Sequence, residues 1–380
     1  MNGDQKRLSI LGSTGSVGTQ TLEVVRSYPK HFKVVCLGAN RNTAALKKQI
    51  LEFSPKAVSC EHLEDINHDI NFPQTMMSLG QIAVHEEIDT VVVATSGNVA
   101  LLPTFEAIKN GKDIAIANKE TIIMAGEQLT SLAKSNSVNL MPVDSEPSAI
   151  WQCLRGEKED IAKLIITASG GPFKNIPLRS LQNVTPTDAL KHPTWEMGTK
   201  ISVDSATMMN KAFEVIEARW LFNVPWDNIE VIVHPESIIH SMVEFSDGST
   251  KAQLSYPDMR IPIQHALFFP QRGQISPVES FNPQKTKSLN FESLDKERYP
   301  CFDMAVNFAK KGGTWPSALT GADEAAVSAF LNHKIKFTEI QTIIQEAIKD
   351  HNSVVSPNTS DMLKASDWGH KQVSDLASGN

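Results

Sequence analysis

The sequence predicts an α/β chain: an N-terminal Rossmann-like doubly wound parallel sheet, a central α+β domain crossed by a long loop, and a C-terminal helical domain. Three observations predict it. Continuous β-branched strands alternate with helical stretches as far as residue 144, the pattern of a parallel sheet covered on both faces. A glycine-rich turn, Gly12 to Gly18, joins the first strand to the first helix. Further on, a hairpin signal surrounds Asp247-Gly248, and helical periodicity takes over from Cys301. The expected segments are 1–146, 147–270, a Pro-, Ser- and Gln-rich linker at 271–298, and 299–380.

Composition excludes several classes. A chain of 380 residues with 41% hydrophobic content exceeds one ordinary domain and has ample core. Net charge of −7 leaves no basic stripe for nucleic acid. No apolar run approaches the ~18 residues of a membrane span. Cys36, Cys60, Cys153 and Cys301 are far apart, as reduced thiols of a cytoplasmic protein would be. No signal or transit segment precedes the first strand, so a cytoplasmic location is expected.

In chain order, a strand over 8–11 runs into Gly12-Ser13-Thr14-Gly15-Ser16-Val17-Gly18, and a helix over 19–27 follows. Glycines there let backbone N–H groups approach a pyrophosphate, and the helix N-terminus adds its positive end. A tight turn that binds nothing is the alternative. The second strand, 32–37, ends in Gly38-Ala39-Asn40-Arg41-Asn42, with one Arg and no acid. That favours a 2′-phosphate, hence NADP, over a plain surface Arg. A helix over 44–53, a strand at 57–58 and a less regular region over 61–87 come next. The clearest central strand, 89–94, ends at Thr95-Ser96-Gly97; a helix follows to about 109, then a strand over 113–117 ending in Asn118-Lys119-Glu120.

The last strand of this part, 138–141, is stopped by Pro142, and Asp144 and Glu146 follow. On an extended backbone both carboxylates point to one side, an oxygen-rich corner for a hard divalent cation. A solvated loop with a helix cap explains the same residues. The Gly12 to Gly18 turn, Arg41, Ser96, Lys119 and the two acids all fall at strand C-termini, where doubly wound sheets bind ligands.

Beyond Glu146 the sequence predicts a helix over 149–154 and a strand over 163–167. The turn Ala168-Ser169-Gly170-Gly171-Pro172 after it is either an anion cradle or only a turn. Residues 186–198 read as a loop holding His192, Trp195 and Met197, a lid or a piece packed on its own domain. A single helix over 203–222, capped by Asp204 or Ser205, carries an apolar stripe at Met209, Phe213, Ile216 and Trp220. Asn210, Glu214 and Glu217 form a polar stripe beside Lys211, which an exposed face explains; Ser205, Asn210 and Lys211 also suit a phosphate. A strand over 229–233 and the hairpin 241–245/250–254 complete a small sheet. Helices near 301–310, 323–331 and 339–351 precede an end expected to fray.

With these residues laid out, the whole chain resembles the 1-deoxy-D-xylulose 5-phosphate reductoisomerase family. The resemblance rests on Ala117-Asn118-Lys119-Glu120, Pro142-Val143-Asp144-Ser145-Glu146, Ala168-Ser169-Gly170-Gly171-Pro172-Phe173 and His192-Pro193-Thr194-Trp195. It continues through the run from Lys200 to Lys211 and Pro257-Asp258-Met259-Arg260. It implies NADPH- and divalent-metal-dependent isomerisation and reduction of the phosphorylated sugar, with Mn²⁺, Mg²⁺ or Co²⁺. Asp144, Glu146 and Glu214 are then the metal ligands and, with Lys119, the catalytic group. Ser145, Glu146, Ser169, His192, Trp195, Ser205, Asn210, Lys211 and Glu214 are the substrate contacts, of which Ser169, His192, Ser205, Asn210 and Lys211 take the phosphate side.

Trp195 and Met197 belong to a lid. Thr14, Gly15, Ser16, Val17, Asn40, Arg41, Asn42, Asn118, Lys119, Glu120 and Gly198 are the cofactor contacts. A homodimer inhibited by fosmidomycin is also implied. The chain departs from the family pattern at Pro147 (usually His), Ala212-Phe213 (Gly-Leu), residues 319–324 and Glu236 (Gln). An NADP-dependent dehydrogenase acting on another small phosphorylated or semialdehyde substrate, and a non-catalytic NADP sensor, are the alternatives.

Overall fold

A computed structural model describes residues 5–61, 75–157, 160–191, 195 and 197–379. Its strands are β1 (Lys6–Leu11), β2 (Phe32–Gly38), β3 (Ala57–Ser59), β4 (Thr75–Met76), β5 (Thr90–Val93), β6 (Asp113–Ile116), β7 (Leu140–Pro142), β8 (Ile161–Ala168), β9 (Ile229–Val233), β10 (Ile239–Phe245), β11 (Thr250–Leu254) and β12 (Glu292–Ser293). The helices are α1 (Ser16–Ser27), α2 (Thr43–Phe53), α3 (Leu79–Ala83), α4 (Leu101–Lys109), α5 (Lys119–Ser135), α6 (Ser145–Cys153), α7 (Pro186–Ala189), α8 (Thr199–Thr207), α9 (Met209–Leu221), α10 (Arg260–Phe268), α11 (Pro300–Lys310), α12 (Trp315–Leu331), α13 (Ile340–Ile348) and α14 (Thr359–Ser378). The chain forms two compact units. One comprises Met1–Thr121, Glu127–Ser148 and Asp258–Glu279; the other Ile122–Gly126, Ala149–Pro257 and Ser280–Asn380.

The first unit is built on a seven-stranded sheet of order β4-β3-β2-β1-β5-β6-β7, parallel throughout. Leu8, Ile10 and Leu11 of β1 and Val91 and Val93 of β5 have no exposed surface, which is why these strands read as unbroken apolar runs. The order reverses at β1 and β5, so the loops leaving those strands border the switch-point crevice. Helix α1 starts at Ser16, three residues earlier than expected, with Gly15 in extended backbone at its N-cap.

Helix α10 packs on α1 within this unit. The Lys6 ammonium donates to the Leu267 carbonyl at 2.7 Å, and the Tyr28 ring meets Phe268 edge-on at 4.5 Å. Residues 258–279 therefore belong with the first sheet, and the units are cut differently from the segments expected at 146, 270 and 298. Local composition cannot register such a return of the chain.

The second unit has a five-stranded mixed sheet of order β11-β10-β8-β9-β12, with β8 and β9 parallel and the other pairs antiparallel. The hairpin expected around Asp247-Gly248 is β10–β11. Helices α8, α9 and α11–α14 share one core, in which Met209, Phe213, Ile216, Phe330, Ile344 and Val373 are buried.

Three local expectations are corrected. The single helix over 203–222 is two, because Met208 adopts the left-handed conformation (φ 61°) between α8 and α9; Asp204 and Ser205 lie inside α8 and are not caps. The loop over 186–198 contains the one-turn α7, closed by reciprocal Thr185–Asp188 capping. The fraying end is instead α14, 20 residues long, capped by Asn358 and Asp361 and burying Met362, Ala365 and Val373. Among the described residues, no helix is long and apolar enough to cross a membrane.

Candidate functional site

In the first unit, the turn after β1 is tied down by its own backbone. Gly12 and Ser13 N–H both donate to the Gly38 carbonyl, at 2.9 and 2.8 Å. Ser13 Oγ donates to Gln49 of α2 at 2.7 Å, and Gln49 Nε2 returns to the Ser13 carbonyl at 2.9 Å. A Cβ on Gly18 would sit 2.2 Å from the Gly12 carbonyl oxygen, so helix and turn touch backbone to backbone. This leaves Thr14, Gly15, Ser16 and Val17 at least partly exposed around the first turn of α1, which holds no acidic residue. Such an N-terminus favours an anion.

Asn40 and Arg41 are exposed after β2, whereas Asn42 caps α2 by accepting from the Ala45 N–H at 3.1 Å. Asn118 has a structural task that the sequence did not signal. Its Oδ1 caps α5 at Thr121 N–H (2.8 Å), and its Nδ2 holds the Thr95 and Gly97 carbonyls, both at 2.9 Å. It thereby braces the loop leaving β5.

Lys119 and Asp144, from the ends of β6 and β7, meet at 3.1 Å with side chains 8% and 14% exposed. The extended reading of Asp144 and Glu146 is corrected. The Asp144 carbonyl accepts from the Ser148 N–H at 2.9 Å, so Ser145 and Glu146 form the first turn of α6. Pro147 is compatible with that turn, whose N–H groups have no helical acceptor anyway. The acids still converge on one place. The Asp144 Oδ1 accepts from the Ser145 N–H at 3.1 Å, and Ser145 Oγ donates to Glu146 Oε2 at 2.7 Å. Glu120, next to Lys119, is buried.

In the second unit, the polar stripe of α9 is not a solvated face. Glu214 and Glu217 are each 1% exposed and Lys211 is 6% exposed. One Glu214 oxygen accepts from Asn210 Nδ2 at 2.5 Å and the other pairs with the Lys211 ammonium. Asn210 and Lys211 occupy the first turn of α9, which has no acidic residue. Ser205 lies in the last turn of α8, and its carbonyl accepts from the Met208 N–H at 3.3 Å. The Ser169 turn packs there: a Cβ on Gly171 would lie 2.7 Å from the Ser205 carbonyl oxygen. Ser169 Oγ accepts from the Gly171 N–H at 3.1 Å. The uncharged turn, α8's end and α9's start thus adjoin, a basic and hydroxyl-bearing corner suited to phosphate.

Trp195 is half-buried with its ring 6.1 Å from that of His240, a neighbour the sequence did not suggest. Met197 is half-buried, and Gly198 is the N-cap of α8. His192 lies outside the described residues.

A family model described as 1-deoxy-D-xylulose 5-phosphate reductoisomerase matches residues 8–126, and models of that enzyme's C-terminal domain match 140–222 and 254–372. A protein of Thermoanaerobacter pseudethanolicus (strain ATCC 33223 / 39E) named 1-deoxy-D-xylulose 5-phosphate reductoisomerase is 48% identical over 366 residues, covering 94% of this chain and 96% of the relative. The chain belongs to the 1-deoxy-D-xylulose 5-phosphate reductoisomerase family.

Solved members of the family share its fold. The Zymomonas mobilis reductoisomerase in complex with NADPH is 35% identical, with a TM-score of 0.91 over 99% of this chain and 100% of that one. A reductoisomerase in complex with NADPH, fosmidomycin and magnesium is 36% identical, with a TM-score of 0.92 over 98% of each chain. Family membership over nearly the whole length sets aside the ordinary dehydrogenase and the sensor.

Proposed function

We infer that the chain catalyses its family's reaction, the NADPH- and divalent-metal-dependent isomerisation and reduction of 1-deoxy-D-xylulose 5-phosphate to 2-C-methyl-D-erythritol 4-phosphate. The observation that carries this is a nearly full-length family match on a chain that carries Lys119, Asp144, Glu146, Lys211 and Glu214. Three carboxylates form a hard-oxygen donor set that fits Mn²⁺ or Mg²⁺, with Co²⁺ a third choice. Asp144, Glu146 and Glu214 hold the cation in this reading. When bound, the cation supplies a Lewis acid and NADPH supplies the hydride.

The chain's own residues do the rest. Thr14 to Val17 and the α1 N-terminus take the pyrophosphate, and Asn40 and Arg41 take the 2′-phosphate. Lys119 orients Asp144 and offsets part of the charge gathered there. Glu120 and Gly198 complete the cofactor contacts. Ser169, His192, Ser205, Asn210 and Lys211 hold the substrate phosphate, away from the reacting carbons. Binding energy from such a remote group is available to close a lid over the chemistry. Trp195 and Met197 form that lid and keep water out. The first unit thus serves chiefly the cofactor and the second chiefly the substrate phosphate, with α11–α14 as helical support. The enzyme works in the cytoplasm as a homodimer, which sedimentation of the purified protein checks.

The deciding experiment follows nicotinamide absorbance with substrate, NADPH and Mn²⁺, with and without a chelator. NADPH is consumed only when substrate and free metal are both present. Consumption that survives chelation, or none under any condition, would overturn the reading.

A further inference from the structure

One charged cluster in the second unit lies outside the site just described. Lys200, in the first turn of α8, places its ammonium 2.6 Å from Asp204 one turn on and 2.6 Å from Asp323 of α12. The two acid side chains are 2% and 1% exposed, the lysine 29%. The same ammonium lies over the Phe213 ring of α9, 5.0 Å from its centroid. Burial, and then Asp323 and Asp204, push up the nearby Cys301 thiol of α11.

Taking three charges out of water is costly, and an apolar filling would stabilise the same contact at least as well. What the bridge does provide is a tie between α8 and α12, since one ammonium meets an acid of each helix at 2.6 Å. Asp204 is followed directly by Ser205, whose carbonyl backs onto Gly171 of the Ser169 turn. Rotation of α8 would therefore swing Ser205 away from that turn.

We propose that Lys200 and Asp323 are positioning residues for the phosphate corner, holding Ser205 in place through Asp204. This rests on the reading of Ser205 as a phosphate contact. Neither residue touches substrate; each acts on the rotational setting of α8.

The test is a double-mutant cycle between Asp323→Asn and Ser205→Ala, read as steady-state constants for both substrates and as fosmidomycin inhibition. Asp323→Asn keeps the side-chain shape and raises KM for the phosphorylated substrate about tenfold, since small misplacements of a positioned group are costly. It weakens fosmidomycin, a phosphonate, by a similar factor and leaves KM for NADPH unchanged, with kcat altered less than about twofold. In the Ser205→Ala background the same change adds little, because the two act through one contact. Lys200→Gln repeats the measurement from the other side of the bridge, with melting curves confirming that each variant is folded. Folded variants with wild-type KM, or effects that multiply independently of Ser205→Ala, overturn the proposal. If Ser205→Ala raises KM and the bridge variants do not, the positioning role alone fails. If Ser205→Ala has no effect, the phosphate reading fails and takes this role with it.

Discussion

Replacing Lys211 by Met deletes the ammonium beside Glu214, a carboxylate 1% exposed that also accepts from Asn210. Removing one member of a buried ion pair strands the other charge and typically costs about 3–5 kcal/mol. The second unit contains about 215 residues, for which about 2 °C of melting temperature corresponds to 1 kcal/mol. Lys211→Met should therefore melt about 6–10 °C below wild type in ligand-free calorimetry at neutral pH. Lys211→Met/Glu214→Gln removes both charges and should recover most of that loss, because no buried ion is left unpaired. A cation bound by Glu214 would substitute for the missing ammonium. Mg²⁺ at about ten times its dissociation constant should return about 1.4 kcal/mol, roughly 3 °C, to Lys211→Met and less to the double variant, which has lost one ligand. Melting of Lys211→Met within about 2 °C of wild type, or a double variant no better than the single, would refute the reasoning.

Gly18→Ala forces a methyl group against the Gly12 carbonyl, so α1 must move by about 1 Å or more to restore normal contact; NADPH affinity and melting temperature should both fall, and calorimetric titration with unchanged affinity would contradict the loop's role. Arg41→Ala should raise KM for NADPH about tenfold or more and leave NADH untouched, as expected for loss of a charge-assisted phosphate contact; equal losses with both cofactors would assign Arg41 to the surface. Burial pushes the Cys36 thiol from 9.0 up to about 12. The folded state thus favours the neutral thiol, and its contribution is intact below pH 9 and lost as pH rises towards 12. Urea midpoints should accordingly decline less steeply above pH 9 in Cys36→Ala than in wild type, and parallel curves would exclude the effect. Fosmidomycin with Mg²⁺ should change wild-type tryptophan fluorescence more than that of Trp195→Phe; a response that survives the substitution would make Trp195 ordinary packing.

Signals confined to neighbouring residues were legible in the sequence. Val91 to Val93 form an unbroken β-branched run, the Gly12 to Gly18 turn sits between strand and helix, and Asp247-Gly248 marks its hairpin. Residues that need a distant partner were not. Nothing local distinguishes a solvated Glu214 from one buried against Lys211 and Asn210, since spacings of three and four serve both. Met208 gives no hint of a left-handed conformation, because a bulky apolar side chain ordinarily avoids it. The helix expected over 149–154 in fact starts at Ser145, with Pro147 inside its first turn. The Asn358–Asp361 capping pair was present in the sequence, but the many polar residues of α14 masked its apolar stripe. The bridge from Lys200 to Asp323 spans more than a hundred residues and had no local trace.

The return of Asp258–Glu279 to the first unit has a bearing on how the protein is made. Helix α10 covers α1, and Lys6 near the start of the chain waits for the Leu267 carbonyl. During synthesis, the nucleotide-binding sheet can assemble its seven strands early, yet its outer layer stays incomplete until about residue 279 has left the ribosome. Translation at about 5–20 residues per second makes that interval several seconds long at least. Throughout it the surface of α1 that α10 covers stands open, a natural place for a chaperone to hold. A fragment ending at residue 146 would remain in that immature state permanently, so the cofactor half cannot be harvested by a single cut.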